Sequence, residues 1–383
     1  MKKGIIITLL MLVSANCIYA DSIDTLSIDN REANGFRKWL NSVIHGNIDK
    51  THEQAIDMSL VVAPCYTREG SFGIGGAATA LYRLDRKDSI MQPSDISLSG
   101  SAMLKGFYGL TVKGNNHFLG NRSRLSYRLA FNHKTLDFWG ISYDACSNNA
   151  MSEYVRKQVK LEADYVYKLT KSLHVGIALN INYAHADKVL DMSYLEGQKD
   201  TYFFSGIGAS LQYDTRDFIL NPKRGVYIMV REVIYPKSLG SYNKTLFCTT
   251  GIIDAYKQAW SGAILALDLY GQFKNSSTPW ALREELGSGM SRMRGYYAGR
   301  YIDCSQMTAQ LELRQHIYSR IGCVAWAGCG TVFSSFKEID KDHLLPNYGI
   351  GLRVEFKHNV NVRIDYGFGK DTAGFVFQFA EAF

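Results

Sequence analysis

The sequence predicts an all-β protein: a transmembrane antiparallel β-barrel of about 16 strands, preceded by a short amphipathic helix. From Ile56 onward, apolar and polar residues alternate with a period of two, as expected for strands with one apolar and one polar face. The chain holds 24 Tyr and 34 Gly but only 6 Pro, a composition typical of long strands with aromatic residues at membrane interfaces. Many of the alternating runs are longer than a β-sandwich needs and suit tilted, membrane-spanning strands.

The N-terminal residues predict export. Lys2 and Lys3, the apolar run that follows them, and Ala20 before Asp21 indicate a secretory signal peptide over residues 1–20. Lipidation at Cys17 is the weaker alternative, because Asn16 precedes it unfavourably. No later stretch offers the roughly 18 uninterrupted apolar residues of a membrane helix.

Residues 21–55 form a predicted N-terminal segment with one short amphipathic helix. Its apolar residues recur at helical spacing; they are Phe36, Trp39, Leu40, Val43 and Ile44. Two positions for this helix remain open at the level of sequence. It packs on or inside the barrel, or it lies at the periplasmic membrane interface.

The predicted barrel covers residues 56–383. Turn residues divide it into sixteen alternating runs, an even number as single-chain bacterial barrels require. The turn at 169–171 is short and is expected to face the periplasm, whereas the segments 134–152, 187–200 and 274–303 are long and are expected to face outward. The predicted strands are 56–66, 71–83, 95–104, 106–114, 122–133, 153–168, 172–186, 201–215, 224–236, 244–257, 260–273, 304–316, 319–333, 346–357, 360–369 and 373–383.

Charge and motif content argue against several other functions. The formal net charge is +7, and both signs are dispersed, so the sequence predicts no nucleic-acid partner. The six cysteines after residue 20 form no CxxC pair, and they are interpreted as small apolar residues on sheet faces, with a disulfide remaining open. The sequence contains neither Gly-x-Ser-x-Gly nor His-Glu-x-x-His. We therefore expect no enzymatic activity, no metal site and no cofactor.

Residues 283–303 form the most distinctive loop. It is rich in glycine, arginine and aromatic residues, and a loop of this length inside a compact chain is usually functional. The segment Met293-Arg294-Gly295-Tyr296 resembles the Val/Ile-Arg-Gly-Phe/Tyr signature of the BamA/TamA (bacterial surface antigen) family of outer-membrane assembly barrels. Three further stretches, 213–225, 325–333 and 363–383, resemble the same family in the same order.

The resemblance implies that this loop folds back into the barrel lumen, where acidic side chains hold Arg294. A guanidinium also seeks bidentate carboxylates on physical grounds. Glu312 is the first candidate partner and Asp365 the second, while Gly295 would allow a tight backbone turn beside Tyr296. Many family members carry an acidic residue in the strand corresponding to 325–333, where this chain has Gly328.

The end of the chain resembles the closing strand of the family, with Phe379 and Phe383 as its terminal aromatic signal. Glu381 falls on the apolar face of that strand by strict alternation. Either the strand bends inward before its end, or Glu381 lies at the periplasmic rim.

The resemblance implies an outer-membrane protein of a Gram-negative bacterium that assists the insertion or export of other outer-membrane proteins through a non-covalent, lateral-seam mechanism. Residues 21–55 are too few for the POTRA modules that collect clients, so a barrel-only form is expected. The implied partners are outer-membrane lipid, unfolded outer-membrane clients, and a periplasmic or outer-membrane partner. A passive channel is one alternative function. A structural barrel that binds a partner through its surface loops is another.

Overall fold

The computed structural model describes residues 51, 54–67, 71–85, 91–219, 221–287, 291–357, 360–379 and 381–383. Sixteen strands form one sheet, in which each strand pairs antiparallel with the next strand of the sheet along the chain. This confirms the predicted all-β class and strand number. The predicted signal peptide and the predicted amphipathic helix lie outside the described residues.

Two structural elements inside the loops were not predicted. Two short paired strands, Glu284–Glu285 and Ile302–Asp303, lie in the long segment predicted at 274–303. A six-residue helix, α1 (Tyr143–Asn148), lies in the segment predicted at 134–152. The strands are β1 (Ile56–Thr67), β2 (Ser71–Tyr82), β3 (Ser94–Met103), β4 (Tyr108–His117), β5 (Ser123–Phe138), β6 (Ser152–Lys168), β7 (Leu173–Asp187), β8 (Thr201–Asp214), β9 (Gly225–Tyr235), β10 (Leu246–Trp260), β11 (Ala263–Lys274), β12 (Glu284–Glu285), β13 (Ile302–Asp303), β14 (Ser305–Tyr318), β15 (Ile321–Phe333), β16 (Leu345–Lys357), β17 (Val360–Gly369) and β18 (Thr372–Phe379).

The two faces of the strands differ in chemistry as the alternation predicts. On β9, Ile228 and Val230 are exposed on the outer face, whereas Arg231 points inward and pairs with Asp164 of β6 at 2.9 Å. Apolar side chains exposed on the outer face of these strands suit contact with lipid. In the described part of the chain, no helix has the length and apolar character needed to cross a membrane.

The hydrophobic core lies inside one end of the sheet. This end carries α1 and the long loops, and we call it the loop end. At the opposite end β1 begins and β18 ends, and we call that end the base. Strands β5–β8 are long, and at the loop end their inner faces carry apolar side chains. The loops pack against these side chains. The core includes Leu136, Phe138, Tyr154, Tyr202, Phe204, Tyr235, Tyr143, Trp280 and Leu286.

This core explains one error in the predicted strand boundaries. β5 was predicted to end at residue 133, but it continues to Phe138 because Leu136 and Phe138 point inward into the core. Lower in the same strand the apolar residues, such as Leu129 and Phe131, point outward. The face that carries the apolar residues therefore changes along the strand, which interrupts the pattern read from the sequence.

The first and last strands of the sheet meet without pairing. Residues of β1 and β18 approach within 8 Å in Cα–Cα distance, yet no hydrogen-bonded ladder joins these two strands in the described residues. β18 contains 8 residues, whereas β6 contains 17. The wall is therefore short on the β18 side of this junction, which we call the seam, whereas β1 on the other side has 12 residues.

Candidate functional site

The loop between β11 and β14 folds into the interior of the sheet. Its two arms pair as β12 and β13, with Glu284 opposite Asp303. Trp280 attaches the first arm to a neighbouring loop, because its Nε1 donates to the main-chain oxygen of Lys199 at 2.8 Å. These contacts direct residues 291–297, which we call the loop tip, toward the inner wall.

Arg294 lies fully buried between β14 and β17. Its Nη2 lies 2.7 Å from Oε2 of Glu312, and its Nη1 lies 2.9 Å from Oδ2 of Asp365. Both carboxylates are themselves completely buried. The structure thus brings together the three charged residues that the sequence singled out, with one guanidinium bridging two strands that are not neighbours in the sheet.

Trp326 and Asn347 also contact Arg294, and the sequence analysis missed both. The guanidinium lies 3.6 Å from the centroid of the Trp326 ring, in cation–π geometry. Trp326 Nε1 donates to Oδ1 of Asn347 at 2.9 Å, and Nδ2 of Asn347 donates to the main-chain oxygen of Arg294. In the sequence Trp326 was one aromatic residue among many. Its role follows only from its place on β15, which lies next to β14 in the sheet.

Gly328 makes room for a different partner. It lies opposite Gln310 in the register of β14 and β15, and a Cβ atom at Gly328 would lie 2.8 Å from Cα of Gln310. Gln310 Oε1 accepts from Arg294 Nη2 at 3.4 Å, and its Nε2 donates to Asp268 at 3.0 Å. Gln310 on β14, opposite Gly328 on β15, is therefore a further partner of Arg294.

Gly295 and Tyr296 bring the loop tip against β17 and β16. Gly295 has a φ of +98°, and a Cβ atom there would collide with the main-chain oxygen of Gly367. The Tyr296 hydroxyl donates to the main-chain oxygen of Pro346 at 2.7 Å and accepts from the amide of Lys370 at 2.8 Å. Burial raises the pKa of Tyr296 to about 12, so the hydroxyl keeps the proton that it donates.

A second arginine anchors the loop tip to another strand. Arg292 Nε lies 2.8 Å from Oδ2 of Asp268 on β11, and its guanidinium lies 4.2 Å from the centroid of the Tyr270 ring. Arg292 and Arg294 together thus contact acidic residues on β11, β14 and β17. The sequence analysis did not identify Arg292, although an arginine so close to the signature was a usable signal.

The carboxylates that hold Arg294 are shared with arginines of the wall. Glu312 Oε1 accepts from Arg314 Nε at 2.7 Å, and Asp365 accepts from Arg353 at 2.5 Å and from Arg363 at 3.1 Å. These arginine side chains place positive charge next to both buried carboxylates, which offsets the cost of burying them.

The same network reaches the residues that follow β18. Arg353 Nε contacts Oε2 of Glu381 at 2.8 Å, and Arg314 Nη2 donates to the main-chain oxygen of Phe383 at 2.9 Å. Glu381 is buried, and the structure places it inside the sheet beyond the end of β18 at Phe379. The predicted strand to residue 383 is therefore four residues too long. Phe379 is the last residue of β18, and Phe383 lies beside Arg314 and Tyr256 inside the sheet.

Replacing Trp326 should weaken the docking of the loop tip. We expect Trp326→Leu to cost about 2 kcal/mol of docking free energy, because the buried guanidinium loses its ring partner. Trp326→Phe keeps an aromatic face but loses the bond to Asn347, so its cost should be smaller. Hydrogen exchange of the loop-tip amides in detergent-solubilised protein measures both, and equal exchange in wild type and Trp326→Leu would contradict the cation–π role.

Other chemistry is sparse in the described residues. No group of three or more His, Cys, Asp or Glu side chains is arranged to hold a metal ion there. Five described cysteines, Cys146, Cys248, Cys304, Cys323 and Cys329, are free thiols. The site as a whole is a buried ionic anchor between a loop and three strands.

Comparison with known proteins identifies relatives of this fold. A family model described as the Omp85 superfamily domain matches residues 104–383. The structure is similar to BamA from Haemophilus ducreyi lacking POTRA domains 1–3, with a TM-score of 0.54, 12% identity, and coverage of 85% of this chain and 70% of that one. No curated protein matches the sequence.

Two CdiB proteins are similar to a comparable degree. CdiB from Acinetobacter baumannii gives a TM-score of 0.55 at 10% identity and covers 85% of this chain, and CdiB from Escherichia coli gives 0.56 at 10% identity and covers 86%. The chain spans 60% and 61% of their respective lengths. At these identities the likeness concerns the fold.

Proposed function

The chain belongs to the Omp85 superfamily, and from that premise we propose that it assists the insertion or export of other outer-membrane proteins through its seam. It is an outer-membrane β-barrel of a Gram-negative bacterium. The loop end then faces outward and the base faces the periplasm. The observation that carries the proposal is the seam, where β1 and β18 lie close together without a hydrogen-bonded ladder.

An unpaired strand edge can act as a template. Main-chain N–H and C=O groups at such an edge can pair with an incoming strand, and this form of recognition depends little on side chains. In lipid these groups have no water to satisfy them, so pairing with a client strand is strongly favoured. The mechanism is non-covalent and needs no catalytic residue.

The short wall at the seam supports the same role. β18 has 8 residues and β17 has 10, whereas β5 and β6 have 16 and 17. A membrane thins beside a short hydrophobic wall to reduce the mismatch. A thinner bilayer lowers the barrier that a client strand meets when it enters.

The anchored loop tip supports an assembly role more than a passive channel. Arg292 and Arg294 hold the tip against β11, β14 and β17, so residues of the loop occupy the interior. The network from Arg294 to Glu381 also links this tip to the chain just beyond the seam strand β18. A periplasmic or outer-membrane partner that delivers clients is part of the proposal.

The proposal is tested by following client folding in liposomes. We expect an unfolded outer-membrane barrel to fold faster in vesicles that contain this protein than in empty vesicles. Vesicles with an unrelated folded barrel control for membrane defects. Equal rates in all three preparations, with this protein shown to be folded, would reject assembly activity. Steady large conductance together with equal rates would favour the passive channel.

A further inference from the structure

One carboxylate lies on the outer, lipid-facing surface of the barrel. Glu232 follows Arg231 and precedes Val233 on β9, and both of those side chains point inward, so Glu232 points outward. The outer-face residues before and after it on the strand, Val230 and Ile234, are exposed and apolar. Ionisable side chains in contact with lipid are costly, and they usually mark a function.

The register places Glu232 within the apolar band of the barrel. Toward the loop end, Ile234 lies opposite Phe247, and toward the base, Ile228 lies opposite Tyr213. Phe247 and Tyr213 are exposed aromatic residues of the kind that mark the two membrane interfaces. Glu232 lies between these two aromatic positions, two residues below Ile234 and four above Ile228. It therefore lies within the apolar band of the outer face.

The surroundings of Glu232 form a shallow depression. Its register partners are Ala209 on β8 and Thr249 on β10, and Gly251 is the next outward residue of β10. A Cβ atom at Gly251 would meet nothing within 4 Å. Larger exposed apolar side chains surround these small residues; they are Ile207, Leu211, Val230, Ile234, Phe247 and Ile253.

The carboxylate has one hydrogen-bond partner in the described part of the barrel. The Thr249 hydroxyl donates to Oε2 of Glu232. No basic side chain of the described residues lies within ion-pair distance of Glu232, whereas Arg231 beside it is paired with Asp164 across the lumen. Glu232 thus presents a carboxyl group to whatever lies against the barrel in the membrane.

We propose that this depression binds a membrane-embedded segment of another protein, and that a Lys or Arg of that segment pairs with Glu232. A basic partner suits this carboxyl group, because an ion pair reduces the cost of an ionised carboxylate in lipid. The small residues beside Glu232 allow a partner backbone to approach closely, as at other interfaces within membranes.

A symmetric contact of this face with the same face of a second copy does not supply that cation. In the fully described strands β8, β9 and β10, the basic residue on the outer face is Lys257. Lys257 lies eight residues beyond Thr249 on β10, roughly 25 Å along the strand. Copies related by an axis normal to the membrane keep every residue at the same depth, so Lys257 of one copy cannot reach Glu232 of the other.

The test uses the purified barrel in vesicles and two synthetic transmembrane helices of about 20 residues. Both are leucine-rich, and one carries a single lysine at the depth of Glu232. Energy transfer between labelled peptide and labelled barrel measures association. We expect the lysine peptide to associate about tenfold more tightly than the plain peptide. Glu232→Gln should abolish this preference, and Glu162→Gln, which changes a lumenal acid, should retain it.

Three outcomes would overturn the proposal. The first is equal association of both peptides with the wild-type barrel, and the second is a preserved lysine preference in Glu232→Gln. The third is self-association of the barrel that depends on Glu232, which would identify a second copy as the occupant.

A stability measurement separates a binding role from a structural one. Glu232→Leu removes the carboxylate from lipid, so the urea midpoint of the isolated barrel should rise while the lysine preference disappears. A fall in the midpoint would mean that the bond with Thr249 stabilises the barrel itself, and would contradict the binding role.

Discussion

Arg294→Ala should release the loop tip from the inner wall while the sixteen-stranded sheet stays folded. The substitution removes both ion pairs, to Glu312 and Asp365, and the contact with Trp326. Removing one partner of a buried ion pair usually costs 3–5 kcal/mol. Arg314 and Arg353 remain beside the two acids, so we expect about 3 kcal/mol of lost docking free energy, at the low end of that range.

Proteolysis of the loop measures this loss. A protease without preference for arginine should cleave residues 291–297 roughly a hundredfold faster in Arg294→Ala than in wild type. Arg294→Lys keeps the positive charge, but it loses the planar guanidinium that reaches both carboxylates and much of the contact with the Trp326 ring. Its cleavage rate should therefore be intermediate. Identical cleavage of all three proteins would show that Arg294 does not hold the loop tip.

Gly295→Ala should displace the loop tip from β17 even though every ion-pairing side chain is retained. Its φ of +98° disfavours alanine by about 1–2 kcal/mol, and the new Cβ would collide with the main-chain oxygen of Gly367. Overpacking of this kind adds about 1–3 kcal/mol. The hydrogen bond from Thr372 Oγ1 to the Gly295 oxygen should be lost with it.

Gly299 provides the matched control for the Gly295 substitution. Its φ of +88° is similar, but a Cβ there would meet Cδ1 of Ile302 at an ordinary 3.7 Å. Gly299→Ala should therefore carry only the backbone cost of about 1–2 kcal/mol. Hydrogen exchange of the loop-tip amides compares the two variants. If Gly295→Ala and Gly299→Ala increased the exchange of the loop-tip amides equally, the collision with Gly367 would not account for the effect of Gly295→Ala.

Much of the fold could be predicted because alternation is a local signal. Each strand of the wall presents one face to lipid and one to the interior. The alternation of apolar and polar residues therefore predicts where nearly every strand begins and ends. The errors occur where a tertiary contact overrides that pattern. β5 extends to Phe138 because its inner face joins the core, and β18 stops at Phe379 because Arg353 and Arg314 draw the following residues inward.

The site could be predicted only in part. Arg294, Glu312 and Asp365 were identified from a resemblance together with the affinity of a guanidinium for carboxylates, and they lie in contact. Trp326 and Asn347 could not be found in this way, because their roles depend on the order of strands around the interior. Glu232 shows the opposite case, since its position on the outer face of β9 follows from alternation alone.

The most direct test of the account is a reversible tether across the seam. Pairs of cysteines, one in β1 and one in β18, are introduced after replacement of the native cysteines, and a pair that forms a disulfide is selected. We expect the oxidised protein to lose its acceleration of client folding in liposomes, and reduction to restore it. Full acceleration by the oxidised, tethered protein would contradict the proposal that clients enter the membrane through the seam.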